Sequence, residues 1–283
     1  MRLTSPVLVT GVPRSGKSLI SKVLSESTHL SWVREPKESW QLQSGPVDDC
    51  WRATDVTDVD VNLINKACAE RLPSLPDSRY LDDLSLHCLR LEATLKIVPD
   101  ARVIFAIRDP AQVIPELTSY WKGLNARYAV GNRVDKGIRL LDVPKLGAKF
   151  LRNRIAIMFF GRVYYVGPEI EAVMKLPLSM SAVAMAAQQI DSMLTHATSG
   201  FDLIPRSSII QVDYESFISC SGALLEEIAD HCGVSSRADS ILKAADEIVE
   251  SSHIPRHWLD LSAEEKKIAE PVVEKWRGVF GFK

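Results

Sequence analysis

The stretch Pro6-Val-Leu-Val-Thr-Gly-Val-Pro-Arg-Ser-Gly-Lys-Ser18 decides the fold class. Residues 6 to 10 are a short apolar, β-branched run that suits a strand buried on both faces of a parallel sheet. Gly11 to Ser18 then satisfy the pattern G-x-x-x-x-G-K-S/T, and Leu19, Ile20, Val23 and Leu24 continue at helical spacing. Strand, glycine-rich loop and helix in that order make an anion site. The glycines let the backbone curl, its N–H groups turn inward, and the helix N-terminus adds partial positive charge. A lysine at position 17 reaches terminal phosphate oxygens, so phosphate binding is the first functional expectation.

Working outward, Leu30 to Val33 reads as a second strand closed by Glu35-Pro36, and the Gly-, Pro- and Asp-rich residues 41 to 60 read as loop. A helix is expected over 61–71, a strand over 80–83 ending in two carboxylates, and a helix over 86–97 stopped by Pro99-Asp100. The run RVIFAI, 102–107, is the strongest strand and leads into Arg108-Asp109-Pro110 and a helix over 111–121. Helices over 179–195 and 221–232 flank a strand at 207–212, and 239–283 reads as mostly helical with a break at Pro255. Strands alternating with helices predict an α/β fold, a P-loop-like parallel sheet flanked by helices. The basic, aromatic stretch between predicts a helical insertion, and the expected organisation is one domain with residues 122–178 as an inserted lid or acceptor region.

Composition narrows the function classes. The chain has 283 residues, 46% of them apolar and 25% charged, which excludes intrinsic disorder. Lys plus Arg number 34 and Asp plus Glu 36, a net charge of −2, so bulk electrostatics give no case for a nucleic-acid partner. Cys50, Cys68, Cys88, Cys220 and Cys232 are dispersed without a C-x-x-C, which reads as reduced thiols and against a structural metal site. The opening residues lack a signal segment, and the longest apolar run, Ile155 to Phe160, is far short of a membrane span. A cytoplasmic protein with no metal ligands and no transmembrane segment is expected.

Four further motifs name a family. Arg34-Glu35-Pro36 follows the loop and helix, and Pro99-Asp100-Ala101-Arg102 leads into VIFAIRDP. Val212-Asp213-Tyr214-Glu215 precedes a helix ending at His231-Cys232-Gly233-Val234, and Trp276 to Phe282 closes the chain as W-x-x-x-F-G-F. In this order, over nearly the whole chain, they resemble the sulfotransferase family. The resemblance implies transfer of a sulfuryl group from 3′-phosphoadenosine 5′-phosphosulfate to a hydroxyl of a carbohydrate, glycolipid or natural product. It implies that Arg14, Ser15, Gly16, Lys17 and Ser18, with Gly11 opening the loop, hold the 5′-phosphosulfate, and that Arg108 holds the 3′-phosphate.

The sequence departs from that pattern at three positions. Lys17 stands where the family usually has Thr, Asp83 where many relatives have Lys, and Glu116 where the family's phosphate-binding Ser falls, with Ser119 the nearest serine. These departures form a second reading, an ATP- and magnesium-dependent kinase on a similar scaffold. There Ser18 ligates the metal, Asp82 or Asp83 supplies the carboxylate, and Glu116 contacts a free ribose hydroxyl. Candidate catalytic residues are Lys17 and the carboxylates Glu35, Glu38 and Asp83, since ligands of parallel sheets bind beyond the carboxyl ends of the strands. Asp83 reads equally as a helix N-cap, and Glu35 as a surface residue beside Lys37. His87 falls where relatives often carry His, and Tyr214 and Glu215 are expected to support the fold. His253 and His257 are kept from helical metal-ligand geometry by Pro255.

Overall fold

The computed structural model describes residues 2–27, 29–46, 48–73, 78–123, 155, 157–160, 163–219, 222–249 and 258–282. They fall into two compact units, one of residues 1–108 and 193–254, the other of 109–192 and 255–283. Most of the expected lid, residues 124–154, lies outside the described residues, as do Cys220, His253, Pro255 and His257.

The first unit holds the sheet. Strands β1 (Val7–Thr10), β2 (Leu30–Val33), β3 (Arg79–Asp82), β4 (Arg102–Ile107) and β5 (Ile209–Asp213) line up in the order β2-β3-β1-β4-β5, and every pair is parallel. The apolar run expected to be buried on both faces is so: all of β1 is buried, and so is β4 after its first residue. Helices α1 (Lys17–Ser27), α8 (Gly222–Cys232) and α9 (Ala238–Val249) cover one face. Ile20, Val23 and Leu24, then Leu225, Ile228, Ala229 and Cys232, then Ile241, Ala245 and Ile248 recur three or four apart and enter one core with Val7, Val9 and Ile104. Because the strands are parallel, all five carboxyl ends lie on one edge, and β1 sits where the strand order reverses, the usual place for a ligand.

Two local readings change. Helix α2 (Asp58–Ala69) begins inside the segment expected to be loop, because Thr57 caps it and Asp60 returns a bond to the Thr57 N–H. The helix expected over 86–97 is two elements, a 3₁₀ turn over Ser85–Leu89 and α3 (Leu91–Ile97). They break at Arg90, whose φ of −151° is not helical. Its guanidinium donates to the Trp40 carbonyl at 3.3 Å and stacks 3.4 Å from the Trp51 ring centre, tertiary contacts that override helical propensity.

The second unit holds α4 (Pro110–Trp121), the short α5 (Glu171–Met174), the start of α6 (Ala182–Phe201) and α10 (Ala263–Phe280), while the small α7 (Tyr214–Ile218) belongs to the first. Asp109 caps α4 through the Ala111 N–H, with Pro110 in the first turn. Arg277 of α10 grips the same carboxylate with two bonds, Nε to Oδ1 at 3.0 Å and Nη2 to Oδ2 at 2.6 Å. Next to it, Trp276 donates to Asp191 at 2.8 Å, which gives the closing W-x-x-x-F-G-F motif a packing role. Among the described residues no helix is long and apolar enough to cross a membrane.

Candidate active site

The loop after β1 has the backbone its residues foretell. Gly11, Arg14 and Gly16 all have positive φ, at 140°, 72° and 91°. A side chain at Gly11 would place its Cβ 2.4 Å from the Ala106 carbonyl oxygen, and one at Gly16 would sit 2.1 Å from the Tyr214 ring. Both glycines are therefore dictated by close neighbours as well as by conformation. Ser15 is fully buried, and its Oγ has no hydrogen-bond partner among the described residues. It lies inside the curl, 2.8 Å from where a Gly11 Cβ would be. A buried hydroxyl left over in a glycine-lined curl fits an anionic group, since such atoms are nearly always satisfied.

Lys17 is 7% exposed, and its Nζ donates to the Val12 carbonyl at 2.9 Å. Burial lowers its pKa, and the largest opposing influence is the negative charge of Asp83. Asp83 follows β3 and does not cap a helix: the 3₁₀ turn begins after Leu84 with no side-chain cap. Asp83 Oδ2 instead accepts from Ser18 Oγ at 2.6 Å, and Oδ1 accepts from the Glu35 N–H at 2.9 Å. One carboxylate thus ties the first turn of α1 to the exit of β2. Glu35 itself is exposed and held at a φ of 42°, a costly conformation for a non-glycine residue.

Arg108 stands at the end of β4, 6% exposed, with Nη1 donating to the Arg14 carbonyl at 3.0 Å and the guanidinium 4.6 Å from the centre of the Tyr214 ring. Its Nε is 3.7 Å from Glu215 Oε1. Desolvation pushes the Glu215 carboxyl up to about 7, Asp213 adds to the shift, and Arg108 opposes it. Tyr214 and Glu215, expected to support the fold, meet the loop and its arginine, contacts that only packing reveals.

The other candidates have partners of their own. Glu38, in a 3₁₀ turn over Lys37–Ser39, is exposed and 3.8 Å from Arg71. Glu116 and Ser119 are both buried on α4 of the second unit, and the Ser119 hydroxyl donates to the Glu116 carbonyl at 2.6 Å. Lys122, one turn further on, bonds Glu265 at 2.7 Å. His87 is fully buried, with Nε2 3.1 Å from Asp82 Oδ1 and Nδ1 3.3 Å from Thr94 Oγ1. Asp82 also accepts from Trp40 Nε1 at 3.0 Å, so it serves this network, and it is Asp83 that meets Ser18. Among the described residues no group of three or more His, Cys, Asp or Glu side chains is placed to hold a metal, and Cys50, Cys68, Cys88 and Cys232 are free thiols.

Comparison with known proteins agrees with this arrangement. The family model described as Sulfotransferase family matches residues 6–156, more than half of the chain. The chain belongs to the sulfotransferase family. No curated protein matches this sulfotransferase in sequence. Among solved structures, sulfotransferase STF9 from Mycobacterium avium aligns over 100% of this chain and 78% of its own, with 13% identity and a TM-score of 0.60. At that identity the likeness shows the fold. Sulfotransferase STF1 from Mycobacterium tuberculosis aligns over 95% of this chain and 77% of its own, at 13% identity and a TM-score of 0.47. Mouse sulfotransferase SULT7A1 complexed with PAP aligns over 97% and 84%, at 11% identity and 0.47.

Proposed function

We propose that this sulfotransferase moves a sulfuryl group from 3′-phosphoadenosine 5′-phosphosulfate to a hydroxyl of a carbohydrate, glycolipid or natural product. The observation that carries the reading is the buried Lys17 at the start of a helix, in a glycine-bearing loop whose buried Ser15 hydroxyl has no partner among the described residues. Arg14, Ser15, Gly16, Lys17 and Ser18 would hold the 5′ end of the donor, and Arg108 the 3′-phosphate. The donor supplies a sulfuryl group already joined to a phosphate leaving group.

The residues supply position and charge. The Lys17 ammonium neutralises the oxygen on which charge develops, and the Gly16 and Lys17 N–H groups at the helix start do the same without moving. We assign the proton-accepting role to Glu35. Asp83 is buried and accepts from Ser18 and the Glu35 N–H, and the Glu35 side chain is solvent-exposed at the same sheet edge. The exit of β2 is pinned by Asp83, so the base would be held on a fixed backbone.

Thermal unfolding in excess chelator tests the donor. Adenosine 3′,5′-bisphosphate at a hundredfold its Kd is expected to add about 2.7 kcal/mol of stability. No stabilisation, together with no transfer of labelled sulfate from the donor to a panel of hydroxyl acceptors, overturns the reading. Glu35→Gln is expected to lower kcat by about 100-fold or more with nucleotide affinity retained.

A further inference from the structure

We propose that the same loop also takes a nucleoside triphosphate together with a divalent cation, the cation seated on the Ser18 hydroxyl with Asp83 behind it. The starting point is Asp83, a carboxylate that meets no donor group in sulfuryl transfer. Donor phosphates call for Lys17, Arg14 and the loop N–H groups; they have no use for an anion beside them. Yet Asp83, 2% exposed, is fixed 2.6 Å from Ser18 Oγ at the strand end next to β1.

The chemistry of that contact is specific. Ser18 donates its only proton to Asp83, so the lone pairs of Oγ turn away from the carboxylate. Ser18 is exposed on the first turn of α1, directly after the lysine of the loop. A hydroxyl held this way is a hard oxygen ligand, and magnesium prefers such ligands shared with substrate phosphates and one or two carboxylates. The buried Ser15 hydroxyl, without a partner among the described residues, is a separate mark of a phosphate group there.

The proposal does not depend on the sulfuryl donor, and calorimetry with the whole chain separates the two. ATP is titrated in excess Mg²⁺ and in excess chelator, for the native protein, Ser18→Ala and Ser18→Thr. Adenosine 3′,5′-bisphosphate is titrated in chelator alongside. Magnesium is expected to tighten ATP binding by about tenfold or more in the native protein and in Ser18→Thr, and to lose that gain in Ser18→Ala. Mn²⁺ used in place of magnesium is expected to give a protein-bound resonance signal only when ATP is present. Equal affinities in magnesium and chelator, a gain that survives in Ser18→Ala, or no ATP binding would each overturn the proposal. Binding of the bisphosphate without binding of magnesium–ATP overturns the proposal and leaves the sulfuryl donor standing. The reverse preference supports the proposal and removes that donor.

Discussion

Asp82 and Asp83 are neighbours in sequence and opposites in use. Asp82 ends β3, is fully buried, and joins Trp40 Nε1 and His87 Nε2 in a closed polar network. Asp83 follows it at the sheet edge and joins Ser18 Oγ to the Glu35 N–H beside Lys17. Successive side chains of a strand point to opposite faces, so a pair of carboxylates at a strand end is divided between two environments. One carboxylate fixes the interior, where an unmet donor is expensive. The other fixes the geometry of a loop whose ligand comes from outside. Two equal letters at the end of a strand are thus not two candidates for one role.

The largest expected effect breaks the interior member. Asp82→Ala strands the Trp40 and His87 donors, at about 1–3 kcal/mol for each buried group left unmet. Urea denaturation is expected to show that loss, with the nucleotide affinity of the folded fraction unchanged; a stable variant with weakened binding would erase the contrast. Lys17→Ala is the converse. Removing a charge-assisted contact worth roughly 1.5–3 kcal/mol should weaken nucleotide binding by about tenfold to a hundredfold. The melting temperature should hold, because the substitution also relieves a cation whose pKa burial has lowered. Retained affinity would mean that the curl does not hold the phosphate.

A smaller effect concerns pH. The Glu215 carboxyl, pushed up to about 7 from an ordinary 4.5, holds its proton in the folded chain where the unfolded chain has lost it. Its contribution to stability is complete below the unfolded pKa and is lost as pH rises through the folded one. Protonation also removes the negative charge that faces Arg108 at 3.7 Å. Adenosine 3′,5′-bisphosphate should therefore bind more tightly at about pH 6 than at about pH 8, and Glu215→Gln should flatten that slope. An unchanged slope in the variant would assign the titration to another group. The smallest effect is Glu38→Gln, which alters only an exposed pair with Arg71 at 3.8 Å. Stability should move by no more than about 1 kcal/mol, and kcat should stay near that of the native chain. A collapse in rate would return Glu38 to the reaction and displace Glu35 as the base.

Several features of the site were legible in the chain. Glycines at 11 and 16, the lysine and serine that follow, and apolar runs at 7–10 and 102–107 announce themselves through local spacing, and strand, loop and helix stand where that spacing puts them. The nonhelical Arg90 was not legible, because a single residue drawn to Trp40 and Trp51 leaves no periodic trace. Nor was the meeting of Tyr214 with Gly16, two positions nearly 200 residues apart in sequence.

By itself, then, the sequence determined that an anion-binding loop joins a buried strand to a helix, and that parallel strands bring their carboxyl ends to one edge. Those follow from hydrophobic period and glycine freedom, which act over a few residues. Only the tertiary structure decided which carboxylate meets Ser18, which is sealed under Trp40 and His87, that Glu215 faces Arg108, and that Arg277 clamps Asp109. Each is a choice of partner across the chain, set by how buried polar groups find one another once the layers have packed.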